Sequence, residues 1–164
     1  MENSIKIANE IFLIAKEKKI ILAIAESCTG GLLCAAITAI PGSSRVFDRG
    51  FITYSNEAKV ELLGVNKQTI KTYGSVSEET VREMAAGAIQ NSKANVAISV
   101  SGVAGPGSDS ANKAEGLVWV GVKAFKQSTA HKLCLGPIGR ENVRIETVHL
   151  AYKILLKILK AQSI

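Results

Sequence analysis

The chain has 164 residues, 47% hydrophobic and 21% charged, a balance that suits one globular domain spanning 1–164 and excludes an intrinsically disordered chain. No apolar run approaches the roughly 18 residues that a membrane span needs, and three cysteines without metal-type spacing fit a reducing cytoplasm rather than a disulfide scaffold or a metal site. The net charge of +6 would suit nucleic acid or an anionic small molecule, but the lysines are scattered and aromatics are only 5%, so neither nucleic-acid nor membrane partners are expected.

Ile5, Ala8, Ile11, Phe12 and Ala15 recur at helical spacing and predict an amphipathic helix over 2–18. The first residues, Met1 to Lys6, place no basic region ahead of an apolar core, so no secretion signal is expected. The continuous apolar run Ile20 to Ala25 predicts a buried strand. It leads into Glu26-Ser27-Cys28-Thr29-Gly30-Gly31, and Leu32 to Ile37 then predicts a helix over 30–40 that stops ahead of Pro41-Gly42. Gly50 to Tyr54 reads as a strand. A short helix over 56–63 follows, capped by Ser55 or Asn56 and closed by Gly64.

Ser77 caps a helix over 78–91, where Glu78 and Glu79 complement the helix dipole and Val81, Met84, Ala85, Ala88 and Ile89 make one apolar face. Residues 95–101 predict a strand with Val96, Ile98 and Val100 on one side. Ala97, Ser99 and Ser101 leave the other side small enough for a helix or a ligand to approach. A glycine-rich polar loop fills 102–116. Leu117 to Lys123 and Ala130 to Leu135 predict two strands, and apolar residues from Val143 to Leu159 define a long C-terminal helix. Early alternation of helix and strand followed by a hairpin predicts an α/β fold, a three-layer α/β/α domain with a mixed central sheet.

The strand–turn–helix around Ser27 aims hydroxyls and backbone N–H groups at one point. It can build a nucleophile with an oxyanion hole, cradle a phosphate, or cap a helix without covalent chemistry. It is neither a Walker motif nor a Gly-x-Ser-x-Gly elbow. His131 and His149 are the only histidines and neither sits beside a glycine turn, so a Ser-His-Asp triad lacks support and another base is needed. Tyr54 and Lys59 bracket a strand-to-helix junction. Early in its helix, Lys59 would find its ammonium disfavoured by the positive dipole end, and more so if buried; a solvated surface lysine is the other reading. The glycines of Ser101-Gly102-Val103-Ala104-Gly105-Pro106-Gly107 allow close approach to a ligand, or simply a connection. Arg140 and Arg144, one turn apart, can fork onto a phosphate or sit in a solvated first turn.

These segments, with Pro41-Gly42-Ser43-Ser44, Phe47 to Lys59 and Gly74 to Val81, occur in one order. From about Ile5 to Leu159 they closely resemble the CinA C-terminal domain family. The resemblance implies a compact α/β/α domain that hydrolyses the carboxamide of nicotinamide mononucleotide to nicotinate mononucleotide and ammonia. It implies a serine nucleophile, no metal and no cofactor. Carried over residue by residue, it makes Ser27 the nucleophile, with Tyr54 and Lys59 handling the proton. Thr29, Gly30 and Gly31 become the turn that supplies oxyanion donors, Ser101, Gly102 and Gly105 the second substrate-facing loop, and Arg140 a substrate-binding arginine.

Two departures stand out: Ile138-Gly139-Arg140 replaces the usual Gly-Asp-Arg, and Ser108-Asp109-Ser110-Ala111 replaces a more glycine-rich stretch. Both bear on phosphate affinity and substrate preference. The Ile138-Gly139-Arg140 change, together with the glycine loops, motivates the alternative of a pyridine-nucleotide-binding module without catalysis. Larger family members carry an N-terminal molybdopterin-binding-like domain whose activities do not transfer to this chain. The expected partner is a small pyridine nucleotide, and the long terminal helix offers a surface for a homo-oligomer.

Overall fold

The computed structural model of the chain describes residues 1–109 and 113–161; Ser110 and Ala111, part of the second departure, lie outside the described residues. In chain order the elements are α1 (Glu2–Glu17), β1 (Leu22–Glu26), α2 (Leu32–Thr38), a 3₁₀ turn (Ser43–Arg45), β2 (Phe47–Ile52), α3 (Asn56–Leu63), α4 (Lys67–Tyr73), α5 (Glu78–Gln90), β3 (Val96–Gly102), β4 (Leu117–Ala124), β5 (Gln127–Cys134) and α6 (Arg140–Ala161). The strands form one sheet in the order β2-β1-β3-β4-β5. Strand β1 runs parallel to β2 and β3, while β3–β4 and β4–β5 are antiparallel. The sheet is therefore mixed, as the sequence predicts.

Alternation along β1 sets the layers. Leu22 and Ile24 face the side covered by α1, α2 and α6, packing with Ile11, Leu33, Ile37 and Tyr152. Ala23 and Ala25 face the other side, where Leu63 of α3 and Val81, Met84 and Ala85 of α5 close in. Burying each large aliphatic side chain contributes about 2 kcal/mol; the small face instead brings helices close. Ser99 Oγ donates to the Val81 carbonyl at 2.6 Å. At Gly87 a Cβ would stand 1.8 Å from the Leu63 carbonyl oxygen, so the α5 and α3 backbones touch there. That contact fixes α3, which carries Lys59.

Topology then selects the place for a site. From β1 the chain leaves through α2 on one face; from β2 it leaves through α3, α4 and α5 on the other. Adjacent parallel strands whose exits diverge open a crevice at their C-terminal ends. Ser27 follows the end of β1, and Thr53 and Tyr54 follow the end of β2.

Several boundaries differ from expectation for local reasons. Helix α2 starts at Leu32 rather than 30 because Gly30 and Gly31 hold φ of +58° and +100°, outside the helical region. Strand β2 starts at Phe47 and ends at Ile52, so Thr53 and Tyr54 lie beyond it. Strand β5 starts at Gln127, paired with Ala124, because the intervening turn closes through Phe125 at φ +56°. Helix α4 was not predicted. Its residues, Lys-Gln-Thr-Ile-Lys-Thr-Tyr, lack an apolar stripe, and it forms because Asn66 caps Gln68 N–H at 2.8 Å and Thr69 Oγ1 donates to Glu83 at 2.6 Å. Among the described residues no helix is long and apolar enough to cross a membrane.

Candidate active site

Ser55 caps α3 by accepting from Ala58 N–H at 3.0 Å. This starts the helix so that Lys59, in its first turn, reaches back over the β2 end. Lys59 Nζ donates to the Thr53 carbonyl at 2.9 Å and to Ser27 Oγ at 3.0 Å, with the Tyr54 and Ser55 carbonyls at 3.5 Å. Lys59 is 1% exposed and Ser27 8%. Residues 32 apart in sequence thus form a buried amine–hydroxyl pair. Burial pushes the Lys59 pKa from 10.5 down to about 8, against smaller opposing effects of Cys28 and Glu57. The cause is desolvation of the ammonium; the surface-lysine reading does not hold.

The pair opens onto a cavity of about 280 Å³ that Ser101, Gly102, Gly105, Tyr54 and Arg140 also line. Ser101 Oγ donates to the Ser75 carbonyl at 2.7 Å, which closes one wall. Gly102 is required by packing as well, since a Cβ would stand 2.6 Å from Val118 Cγ2. Gly105 takes φ +84°, and its carbonyl accepts from Arg140 Nη1 at 2.8 Å. Arg140 Nη2 donates to the Tyr54 hydroxyl at 2.7 Å. Tyr54 is 59% exposed. Its phenol therefore belongs to the rim with Arg140, and among the described residues no hydrogen bond joins that hydroxyl to Ser27 or Lys59.

Thr29, Gly30 and Gly31 are placed differently from expectation. None of the three lines the cavity. Gly30 N–H donates to the Ser27 carbonyl at 3.1 Å, and Gly31 N–H and Thr29 Oγ1 donate to Glu26 Oε2 at 3.0 and 2.6 Å. These donors are turned inward, so the turn does not offer them to a substrate oxyanion. The acceptor, Glu26, is a fully buried carboxylate that also takes Leu33 N–H at 3.1 Å and Cys34 N–H at 2.9 Å. It caps α2 from the preceding strand. Sequence reasoning missed it, although an acid closing an otherwise apolar strand, directly before a helix with no side-chain cap of its own, is a readable signal.

Arg144 also turns away from the cavity, onto the Cys28 and Thr29 carbonyls at 3.1 and 3.0 Å. The two arginines, one turn apart, do not converge on a common anion site. His131 lies in β5 and His149 in α6, and neither lines this cavity. The Cys28 thiol beside Ser27 is pushed up to about 12, chiefly by burial, and is no competing nucleophile. Among the described residues no group of three or more His, Cys, Asp or Glu side chains could hold a metal ion.

The model of the CinA C-terminal domain matches residues 4–159. A relative from Caldicellulosiruptor bescii is 57% identical over 106 residues, which cover 65% of this chain and 26% of that protein. The nicotinamide-nucleotide amidohydrolase PncC of Enterobacter agglomerans is 50% identical over 135 residues, 81% of each chain. Among solved structures, the competence/damage inducible protein CihA from Agrobacterium tumefaciens superposes with a TM-score of 0.91 at 43% identity, covering 96% of both chains. The competence damage-inducible protein A from Klebsiella pneumoniae gives 0.93 at 31% identity, covering 98% of this chain and 99% of that one. The matched segments span 26–36% of the length of several curated relatives.

Proposed function

This chain belongs to the CinA C-terminal domain family, and from that premise we propose that it is a serine amidohydrolase converting nicotinamide mononucleotide and water to nicotinate mononucleotide and ammonia. The observation that carries the reading is Lys59 Nζ, buried and 3.0 Å from Ser27 Oγ. With the lysine pKa at about 8, roughly a tenth of the amine is neutral at pH 7, against about 0.03% for an ordinary lysine. That gain of about 300-fold in free base makes lysine a workable substitute for the absent histidine. The substrate class draws support from the name of the Enterobacter agglomerans relative.

In this mechanism neutral Lys59 takes the Ser27 proton as Oγ bonds to the carboxamide carbon. The backbone N–H of Cys28, next to the nucleophile in the cavity wall, is the candidate oxyanion donor in place of Gly30 and Gly31. Lys59 returns its proton to the leaving nitrogen, the C–N bond breaks and ammonia departs. Water then attacks the acyl-serine and regenerates Ser27. Arg140 at the rim faces the phosphate end of the substrate. Ammonia release from nicotinamide mononucleotide by Ser27→Ala tests the proposal: a loss of about a thousandfold or more is expected, and retained activity sinks it.

A further inference from the structure

We propose that Arg144 and Glu26 are positioning residues that clamp the Ser27 turn from opposite sides, a role that rests on the reading of Ser27 as the nucleophile. Arg144 Nε and Nη2 fork onto two successive carbonyls, those of Cys28 and Thr29, at 3.1 and 3.0 Å. From the strand side the Glu26 carboxylate gathers donors: Thr29 Oγ1 at 2.6 Å, Gly31 N–H at 3.0 Å, Leu33 N–H at 3.1 Å and Cys34 N–H at 2.9 Å. A guanidinium on α6 therefore holds two of the turn's carbonyls, while the Glu26 side chain on β1 holds the Thr29 hydroxyl, the Gly31 N–H and two N–H groups of α2. Ser27 itself is pinned by its own N–H on the Val100 carbonyl at 3.1 Å. Its Oγ is left to meet Lys59 in the cavity.

Gly30 lies against this clamp. A Cβ on Gly30 would stand 3.3 Å from Arg144 Nη2, at a φ of +58° that a side chain rarely adopts. The guanidinium lies close against the bare backbone there. The fork geometry is specific to arginine, because a lysine offers a point charge and cannot bridge two carbonyls in one plane. The consequence is catalytic, since a displacement of about 1 Å in a reacting group costs about a hundredfold in rate.

Arg144→Met tests the role, because Arg144 is only half-buried while Glu26 is fully buried. Four quantities are read on the full chain: kcat and KM for ammonia release from nicotinamide mononucleotide, the rate at which a fluorophosphonate probe labels Ser27, and the thermal unfolding midpoint. The expected result is a fall in kcat of about 10- to 100-fold, a matching fall in labelling rate, KM within twofold of wild type, and partial recovery in Arg144→Lys. A raised KM with unchanged kcat would instead make Arg144 a phosphate ligand and overturn the proposal. So would a lowered midpoint with wild-type kcat and labelling. If wild type labels at Ser27 but releases no ammonia, the substrate reading fails alone, and the labelling rate of Arg144→Met still decides the clamp. If wild type does neither, the nucleophile reading fails and the clamp falls with it.

Discussion

The floor and the rim of the cavity are built on opposite plans. On the floor, Ser27 and Lys59 are buried, and each is anchored to backbone at the end of a regular element. On the rim, Tyr54 and Arg140 are exposed, and they bond to each other and to the loop carbonyl of Gly105. The floor concentrates the chemistry where water is scarce and geometry is fixed by packing. The rim holds exposed side chains whose contacts can change without disturbing the sheet. The difference teaches where to look for each kind of loss: substitutions on the floor should lower kcat, and substitutions on the rim should act on KM.

The largest break of that contrast comes from Lys59→Met. Without the base, ammonia release is expected to drop by about a thousandfold or more, with KM little changed. A comparable rise in KM would move Lys59 from the chemistry to binding. The pH profile sharpens the same point. Activity in wild type should rise through about pH 8 as Lys59 loses its proton, and a rate that is flat from pH 6 to 9 would sink Lys59 as the base.

The second break is in stability. The folded-state pKa of Lys59, about 8, lies below its ordinary 10.5. Between those values the unfolded chain holds a proton that the folded chain has released, so stability rises with pH. Below about 8 both states are charged and the full penalty of burying the ammonium applies. Wild type should therefore gain ~3 kcal/mol relative to Lys59→Met between pH 7 and 11. Urea unfolding of both chains across that range checks it; parallel curves would mean that Lys59 is not desolvated.

Third in size is Gly87→Ala, a floor test made far from any reacting group. Its Cβ would press into the Leu63 carbonyl oxygen at 1.8 Å, so α5 and α3 must separate. A cost of about 1–3 kcal/mol is expected from such overpacking. Because α3 carries Lys59, kcat should fall along with the unfolding midpoint, whereas KM should hold. A destabilised chain with full kcat would show that the pair tolerates movement of its helix.

The sequence carried the architecture well where pattern is local. Helix α3 spans 56–63 as predicted because Ser55 and Gly64 punctuate it, and the small face Ala97-Ser99 foretold the close approach of α5. It failed where structure depends on tertiary partners. Helix α4 has no stripe and stands on Glu83, from another helix. For the site, the residue pattern leaves Ser27 open between nucleophile and cap and Lys59 open between base and surface lysine; the family resemblance pairs them, and the topology brings them together. The inward turn of the Gly30 and Gly31 donors is not legible in the sequence, because a free N–H at a helix start reads the same whether a ligand, a turn carbonyl or a buried carboxylate takes it. The Ser27 carbonyl takes the Gly30 N–H and Glu26 takes that of Gly31. The divergent roles of Arg140 and Arg144 were likewise hidden, since spacing alone does not say which way a side chain turns.

The rim supplies a smaller test. Arg140→Ala removes the guanidinium bonded to Gly105 and Tyr54. A rise in KM of about tenfold with kcat within twofold is expected from losing one charge-assisted contact to a phosphate. A fall in kcat at constant KM would place Arg140 on the floor's side of the division.

Tyr54→Phe is the smallest and the most discriminating. If the phenol relays the Ser27 proton, its loss should lower kcat by about a hundredfold, as general acid–base groups do. The geometry argues otherwise, because the hydroxyl accepts from Arg140 at 2.7 Å and what reaches Lys59 from this residue is its backbone carbonyl at 3.5 Å. That carbonyl survives the substitution. The expected result is a KM raised two- to fivefold, since one hydrogen bond holding Arg140 in place is worth about 1 kcal/mol, with kcat and its pH midpoint unmoved. A hundredfold loss in kcat would require the ring to swing inward when substrate binds, and would make the rim part of the chemistry.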